Sequence, residues 1–180
     1  MRKSMHLLAV MLVVSAALTG CKHEKGPGAE EAFSFVVYPG AQYLPHLTEM
    51  TKQAHKVLKP GEPEPPPTAI YDTDASVDDV ANFYAKSYGF GTVAPDATNN
   101  LSAAKPRAFF RNGDLHTDAQ AIQPLLQQMK LTTDIARAQG TYKAADIDAK
   151  PNRPRVTVQR PYFDVTNSQV VNRTLILMSR

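Results

Sequence analysis

The sequence predicts an α+β fold: a small, mostly antiparallel sheet with two or three packed helices and a C-terminal β-hairpin. Three observations carry this. Residues 76–88 read as a capped amphipathic helix, and residues 45–59 place apolar side chains at helical spacing. Residues 155–163 and 170–178 are β-rich runs joined by a short polar turn. Sheet and helices must bury their apolar faces against one another, which gives one layered domain.

Taken in order, residues 33–38 (Phe-Ser-Phe-Val-Val-Tyr) are rich in aromatic and β-branched residues and read as a first strand. Tyr38-Pro39-Gly40-Ala41 fits a type II turn, with proline presetting φ and glycine supplying positive φ. Pro45 suits a first helical position, and Leu47, Met50, Ala54, Val57 and Leu58 recur at helical spacing until Pro60-Gly61. Residues 60–67 form a proline-rich loop, read as a stiff connector.

Residues 68–73 read as a second strand. Ser76-Val77-Asp78-Asp79 has the spacing of a capping box, and Val77, Val80, Ala81, Tyr84 and Tyr88 share one face of the helix that follows. Asn99-Asn100 and Lys105-Pro106 mark turns in an irregular stretch. Residues 108–111 read as a short strand ending at an Asn112-Gly113 turn. A helical pattern over 118–139 contains Pro124, so a start near Gln123 or a kink is expected. Residues 142–154 are polar and read as a loop, and the closing hairpin turns at 164–169.

The N-terminus carries an address. Arg2 and Lys3 precede an uncharged run over residues 7–18, the layout of an export signal. Twelve residues of helix span about 18 Å, too short for a bilayer core of about 30 Å. Leu18-Thr19-Gly20-Cys21 resembles the lipobox of bacterial lipoproteins. The resemblance implies cleavage before Cys21, a thioether-linked diacylglyceryl group on its sulfur, and a membrane anchor. One acyl chain holds only marginally, whereas two or three hold durably. Lys22 stands where that family's inner-membrane retention signal favours Asp, so the resemblance implies the periplasmic leaflet of the outer membrane. The expected organisation is a signal over 1–20, a lipidated tether over 21–31 and one domain over 32–180.

A second resemblance covers about half of the remaining chain. Tyr38-Pro39-Gly40-Ala41, Tyr71-Asp72-Thr73-Asp74-Ala75, and the pattern Val77, Val80, Ala81, Phe83, Tyr84, Tyr88 resemble small exported bacterial domains of unassigned function. Pro161-Tyr162-Phe163-Asp164 and Thr174-Leu175-Ile176 complete the pattern. It implies a fold and an envelope location, and no reaction.

Composition limits the chemistry. The chain has 180 residues, 20 Lys or Arg and 17 Asp or Glu. Arg2 and Lys3 belong to the signal, which leaves 18 cations against 17 acids. Near-neutral charge gives no basis for a nucleic-acid partner. The single cysteine is the lipobox residue, so the folded part has no disulfide or thiol nucleophile. No His-Glu-x-x-His, Gly-x-Ser-x-Gly or phosphate-binding glycine loop occurs. No catalytic residue and no cofactor are assigned.

Asp72-Thr73-Asp74-Ala75-Ser76 begins like a calcium loop, but Val77 and Phe83 stand where glycine and glutamate are needed. His46 and His55 lie nine residues apart, about 13 Å along a helix, too far to share one metal. Lys105, Arg107 and Arg111 alternate with Phe109 and Phe110. Residues 150–180 hold six cations and one acid, Asp164, and make Arg155, Arg160 and Arg173 candidates for an anion-facing surface.

Three functional readings follow. The first is a non-catalytic binding or assembly module, held to the membrane by Cys21 and meeting an envelope protein or anionic polymer. The second is a carrier or sensor of a small apolar ligand held between sheet and helices. The third is a hydrolase of envelope material, which would need a concave cluster of histidine and carboxylate.

Overall fold

The computed structural model of the chain describes residues 35–62, 65, 67–95, 107–148 and 154–180. The expected signal, lipobox residues Leu18, Thr19, Gly20 and Cys21, and the tether lie outside the described residues, as do the turns at 99–100 and 105–106.

Among the described residues, eight strands and three α-helices follow in the order β1 (Gln42–Tyr43), α1 (Pro45–Leu58), β2 (Thr68–Thr73), α2 (Val77–Ser87), β3 (Arg107–Asp114), α3 (Leu115–Gln128), β4 (Thr141–Asp148), β5 (Arg155–Arg160), β6 (Tyr162–Asp164), β7 (Gln169–Val171) and β8 (Thr174–Ser179), with a 3-10 turn at Ile135–Arg137. Six strands form one sheet in the order β1-β2-β8-β5-β4-β3, while β6 and β7 form a small second sheet. Every neighbouring pair of named strands is antiparallel. The α+β class is therefore the observed one.

Side chains alternate across a strand, and this sheet is covered on both faces. Leu175 and Leu177 of β8 face the layer containing α1, α3 and β6. Ile176 and Met178 face α2. That explains the unbroken apolar run of β8: neither of its faces meets water.

The turn at Tyr38 closes with a bond from Ala41 N–H to Tyr38 O (3.0 Å), and Gly40 has φ +76°. The strand expected at 33–38 is absent over its described part, 35–38. Tyr38 donates its N–H to Tyr84 Oη (3.1 Å), and its ring packs edge-on against Phe83 at 5.2 Å. Side-chain docking on α2 takes the place of a strand partner. The Tyr38 turn and the α2 motif, far apart in sequence, are thus one packing unit.

The α2 cap is as expected: Ser76 Oγ accepts from Asp79 N–H (3.1 Å) and donates to Asp79 Oδ2 (2.6 Å). Helix α1 also forms as expected, and Thr48 joins it to the sheet by accepting from Ile70 N–H (3.1 Å). The closing hairpin forms through β5 and β8, paired from Arg155↔Ser179 to Gln159↔Leu175. Its tip folds over as the β6–β7 pair, after a cis Arg160–Pro161 peptide.

Three further expectations are corrected. Asn112-Gly113 is not a turn, because β3 runs on to Asp114. The glycine serves a close approach instead: a Cβ there would lie 2.2 Å from Tyr142 Cζ. The polar stretch after Thr141 is a strand through Asp148, not a loop. Its aspartate at 146 is paired with arginines on the neighbouring strands, which offsets the usual penalty for a charge in a sheet interior. Helix α3 begins at Leu115, capped by Asp114 accepting from Thr117 N–H (2.8 Å), and ends at Gln128. Pro124 lies inside it on the exposed side, where the carbonyl it leaves unpaired can be met by water.

Candidate ligand-binding cleft

Between α1, α3 and the sheet lies a cleft, with about 660 Å³ of empty space when its open mouth is counted. Its cavity volume is about 40 Å³, above the roughly 10–15 Å³ that one water needs. Helix α1 supplies Leu47, Met50 and Thr51. Helix α3 supplies Leu115, Asp118, Ala119 and Ile122, and the floor is Ile70, Leu175, Leu177 and Gln159. Tyr162, Phe163 and Val165 close one side.

The local sequence explains the opening. Leu115, Ala119, Ile122 and Leu126 form the buried face of α3. Ala119 is small at the centre of that face. Asp118, three residues after Leu115, carries a carboxylate into a position that helical periodicity assigns to the interior.

Asp118 is held by a chain of polar contacts. Tyr142 Oη donates to Asp118 Oδ2 (2.6 Å) and accepts from Arg111 Nη1 (2.8 Å). Arg111 Nε in turn donates to Asp146 Oδ2 (2.8 Å). Thr157 Oγ1 donates to Asp146 Oδ1 (2.7 Å), and Arg155 Nη2 lies 3.4 Å from the same oxygen. Burial opposes ionisation of Asp146, but the charges of Arg111 and Arg155 and the hydrogen bonds from Arg111 and Thr157 outweigh it. Its carboxyl is held below the usual range. Burial pushes Asp118 the other way, above the usual range, against the Tyr142 hydrogen bond and the charge of Arg111.

The two shifts have opposite consequences for stability. Asp146, depressed in the fold, stabilises above the unfolded aspartate value of about 3.9 and loses that contribution as pH falls through its folded value. Asp118, raised in the fold, binds its proton more readily folded than unfolded, so its ionisation near neutral pH weakens the fold. Asp118→Asn is therefore expected to be more stable than the parent at neutral pH in urea titrations. The gain should shrink as pH falls through the raised Asp118 value. A gain that grows on acidification would contradict the sign.

The candidate arginines are placed differently from one another. Arg155 is directed at Asp146, with its side chain 13% exposed. Arg173 engages Asp72 (2.9 Å) and Asp74 (2.6 Å). Arg160 donates to Asn172 Oδ1 (3.1 Å) and to Asp74 O (2.8 Å). Arg160 and Arg173 thus gather around Asp74, while Arg155 sits at the opposite end of β5, about 17 Å away by strand rise. Asp72 and Asp74, the first residues of the calcium-like stretch, are used as arginine partners.

Of the cation–aromatic alternation, Lys105 lies outside the described residues, and the described cations pair with aromatic rings of the same domain. Arg107 lies over Phe109 (5.3 Å), Arg111 over Tyr142 (5.5 Å) and Lys143 over Phe110 (4.4 Å). His46 meets Asp164 at 3.2 Å, and His55 lies 3.9 Å from Glu62. Asp164 also accepts from Thr166 and Asn167, which makes it the organiser of the turn after β6. Among the described residues, no group of three or more His, Cys, Asp or Glu could hold a metal ion, and no helix is long and apolar enough to cross a membrane.

Asp118, Gln159 and Tyr142 were not singled out by sequence reasoning. The signal for Asp118 was its helical offset from Leu115 and Ile122, hidden because α3 was expected to begin later.

Over the described residues the arrangement is a two-faced antiparallel α+β domain with a largely apolar, polar-tipped cleft. No protein-family model, curated protein or solved structure matches the chain.

Proposed function

We propose that the chain is a lipid-tethered envelope protein whose folded part is a non-catalytic binding module. Its binding site is the α1–α3 cleft, which takes a small, largely apolar molecule. The observation that carries the ligand reading is the cleft itself: apolar side chains from two helices and three sheet strands converge there with a few polar groups, the usual composition of small-molecule sites. Support for tethering comes from Leu18-Thr19-Gly20-Cys21. The hydrolase reading gains little here, because Asp118 lines the cleft but no histidine does.

The test is mass spectrometry on the chain purified from membranes. The expected result is a lipid-modified N-terminus lost in Cys21→Ser, and a small molecule copurifying at one per chain. Ala119→Phe, which fills the cleft, should lose that molecule while retaining its near-ultraviolet circular dichroism. An unmodified Cys21 would remove the tether. Copurification unaffected by Ala119→Phe would remove the cleft as the site.

A further inference from the structure

The donors and acceptors of the cleft are unevenly committed. Thr51 Oγ1 donates to Leu47 O (2.9 Å), Tyr162 Oη to Asp72 Oδ2 (3.1 Å), and Gln159 Nε2 to Pro161 O (3.2 Å). Each donor group is therefore engaged inside the protein. The acceptors are not. Gln159 is 2% exposed, and its Oε1 is buried with no hydrogen-bond partner. That oxygen is enclosed by the protein and out of a ligand's reach, whereas Asp118 lines the cleft. Asp118 uses Oδ2 for Tyr142, and its Oδ1 takes no part in that bond.

Charge points the same way. The cation nearest to Asp118 in this network is Arg111, whose Nε is committed to Asp146 and whose Nη1 goes to Tyr142. Asp114 adds further negative potential at Asp118. The cleft thus offers an apolar body with one partly buried carboxylate, that of Asp118.

Resting on the reading of this cleft as the binding site, we propose that its ligand is an amphipathic ammonium. The ligand's N–H-bearing cationic head donates to Asp118, and its apolar body lies against Leu115, Ile122 and Leu177. A carboxylate of equal length would meet a like charge, and an alcohol would forgo the charge-assisted bond.

Isothermal titration of the full chain in lipid nanodiscs tests this with n-hexylamine, n-hexanol and n-hexanoate, using empty discs as the blank. Hexylamine is expected to bind about tenfold or more tightly than either of the others. In Asp118→Asn that preference should fall to about twofold or less. Hexanol or hexanoate binding as tightly as hexylamine would overturn the ammonium assignment and leave the apolar cleft standing. A preference that survives in Asp118→Asn would overturn it as well. No binding of any of the three above the blank would overturn both the assignment and the cleft as binding site.

Discussion

Asp146→Ala is expected to lower the unfolding free energy by about 3–5 kcal/mol, the range for removing one partner of a buried ion pair. Asp146 is 2% exposed and receives Arg111, Arg155 and Thr157 together. Deleting the carboxylate leaves two guanidiniums facing each other across a sheet interior. The loss should far exceed that of a surface pair, where the median is about 0–1 kcal/mol. Urea unfolding followed by circular dichroism measures it. Replacing all three charged residues at once (Arg111→Met, Asp146→Leu, Arg155→Met) should recover much of the loss, because a well-packed apolar set avoids the desolvation of ions. A loss below about 1 kcal/mol for Asp146→Ala would mean that the cluster is well hydrated and contributes little.

The second large effect is expected at Gly113. A methyl group there would lie 2.2 Å from Tyr142 Cζ and 2.3 Å from its Oη. The ring is confined by its bonds to Asp118 and Arg111 and is 5% exposed, so it cannot swing aside freely. Overpacking costs about 1–3 kcal/mol. Displacing the hydroxyl adds about 1–3 kcal/mol for each buried polar group left unsatisfied. Gly113→Ala is therefore expected to cost about 3 kcal/mol or more. The same substitution made on a Tyr142→Leu background should cost well under half as much, because the clash and the hydroxyl are both gone. Equal costs on the two backgrounds would show that the glycine is needed for backbone freedom rather than for the ring.

Both predictions concern residues that the sequence presents misleadingly. Asn112-Gly113 has the composition of a tight turn, and Lys143 to Asp148 has the composition of a loop. Each lies in a strand because of a partner on the neighbouring strand: the Tyr142 ring over Gly113, and Arg111 and Arg155 around Asp146. The late start expected for α3 failed for a related reason. Pro124 is tolerated on the solvent side, and Asp114 supplies a cap nearly a turn before the pattern becomes regular.

Elements whose information is local were legible in the sequence. The Ser76 cap and the apolar face of α2, the Pro39-Gly40 turn, Pro45 at the start of α1, and the two C-terminal β-rich runs each follow from spacing and dihedral preference over a few residues. Together they sufficed for the α+β class. The insertion of β8 between β2 and β5, the second covered face of the sheet, and the cleft were decided only by tertiary structure. Strand order depends on contacts between residues tens of positions apart, to which no local preference refers. The cleft's polar set joins Asp118 of α3, Gln159 of β5 and, through Tyr142, Arg111 and Asp146 on β3 and β4. In sequence these are ordinary polar residues. Desolvation and proximity, which exist only once the sheet and helices have packed, give them their chemistry.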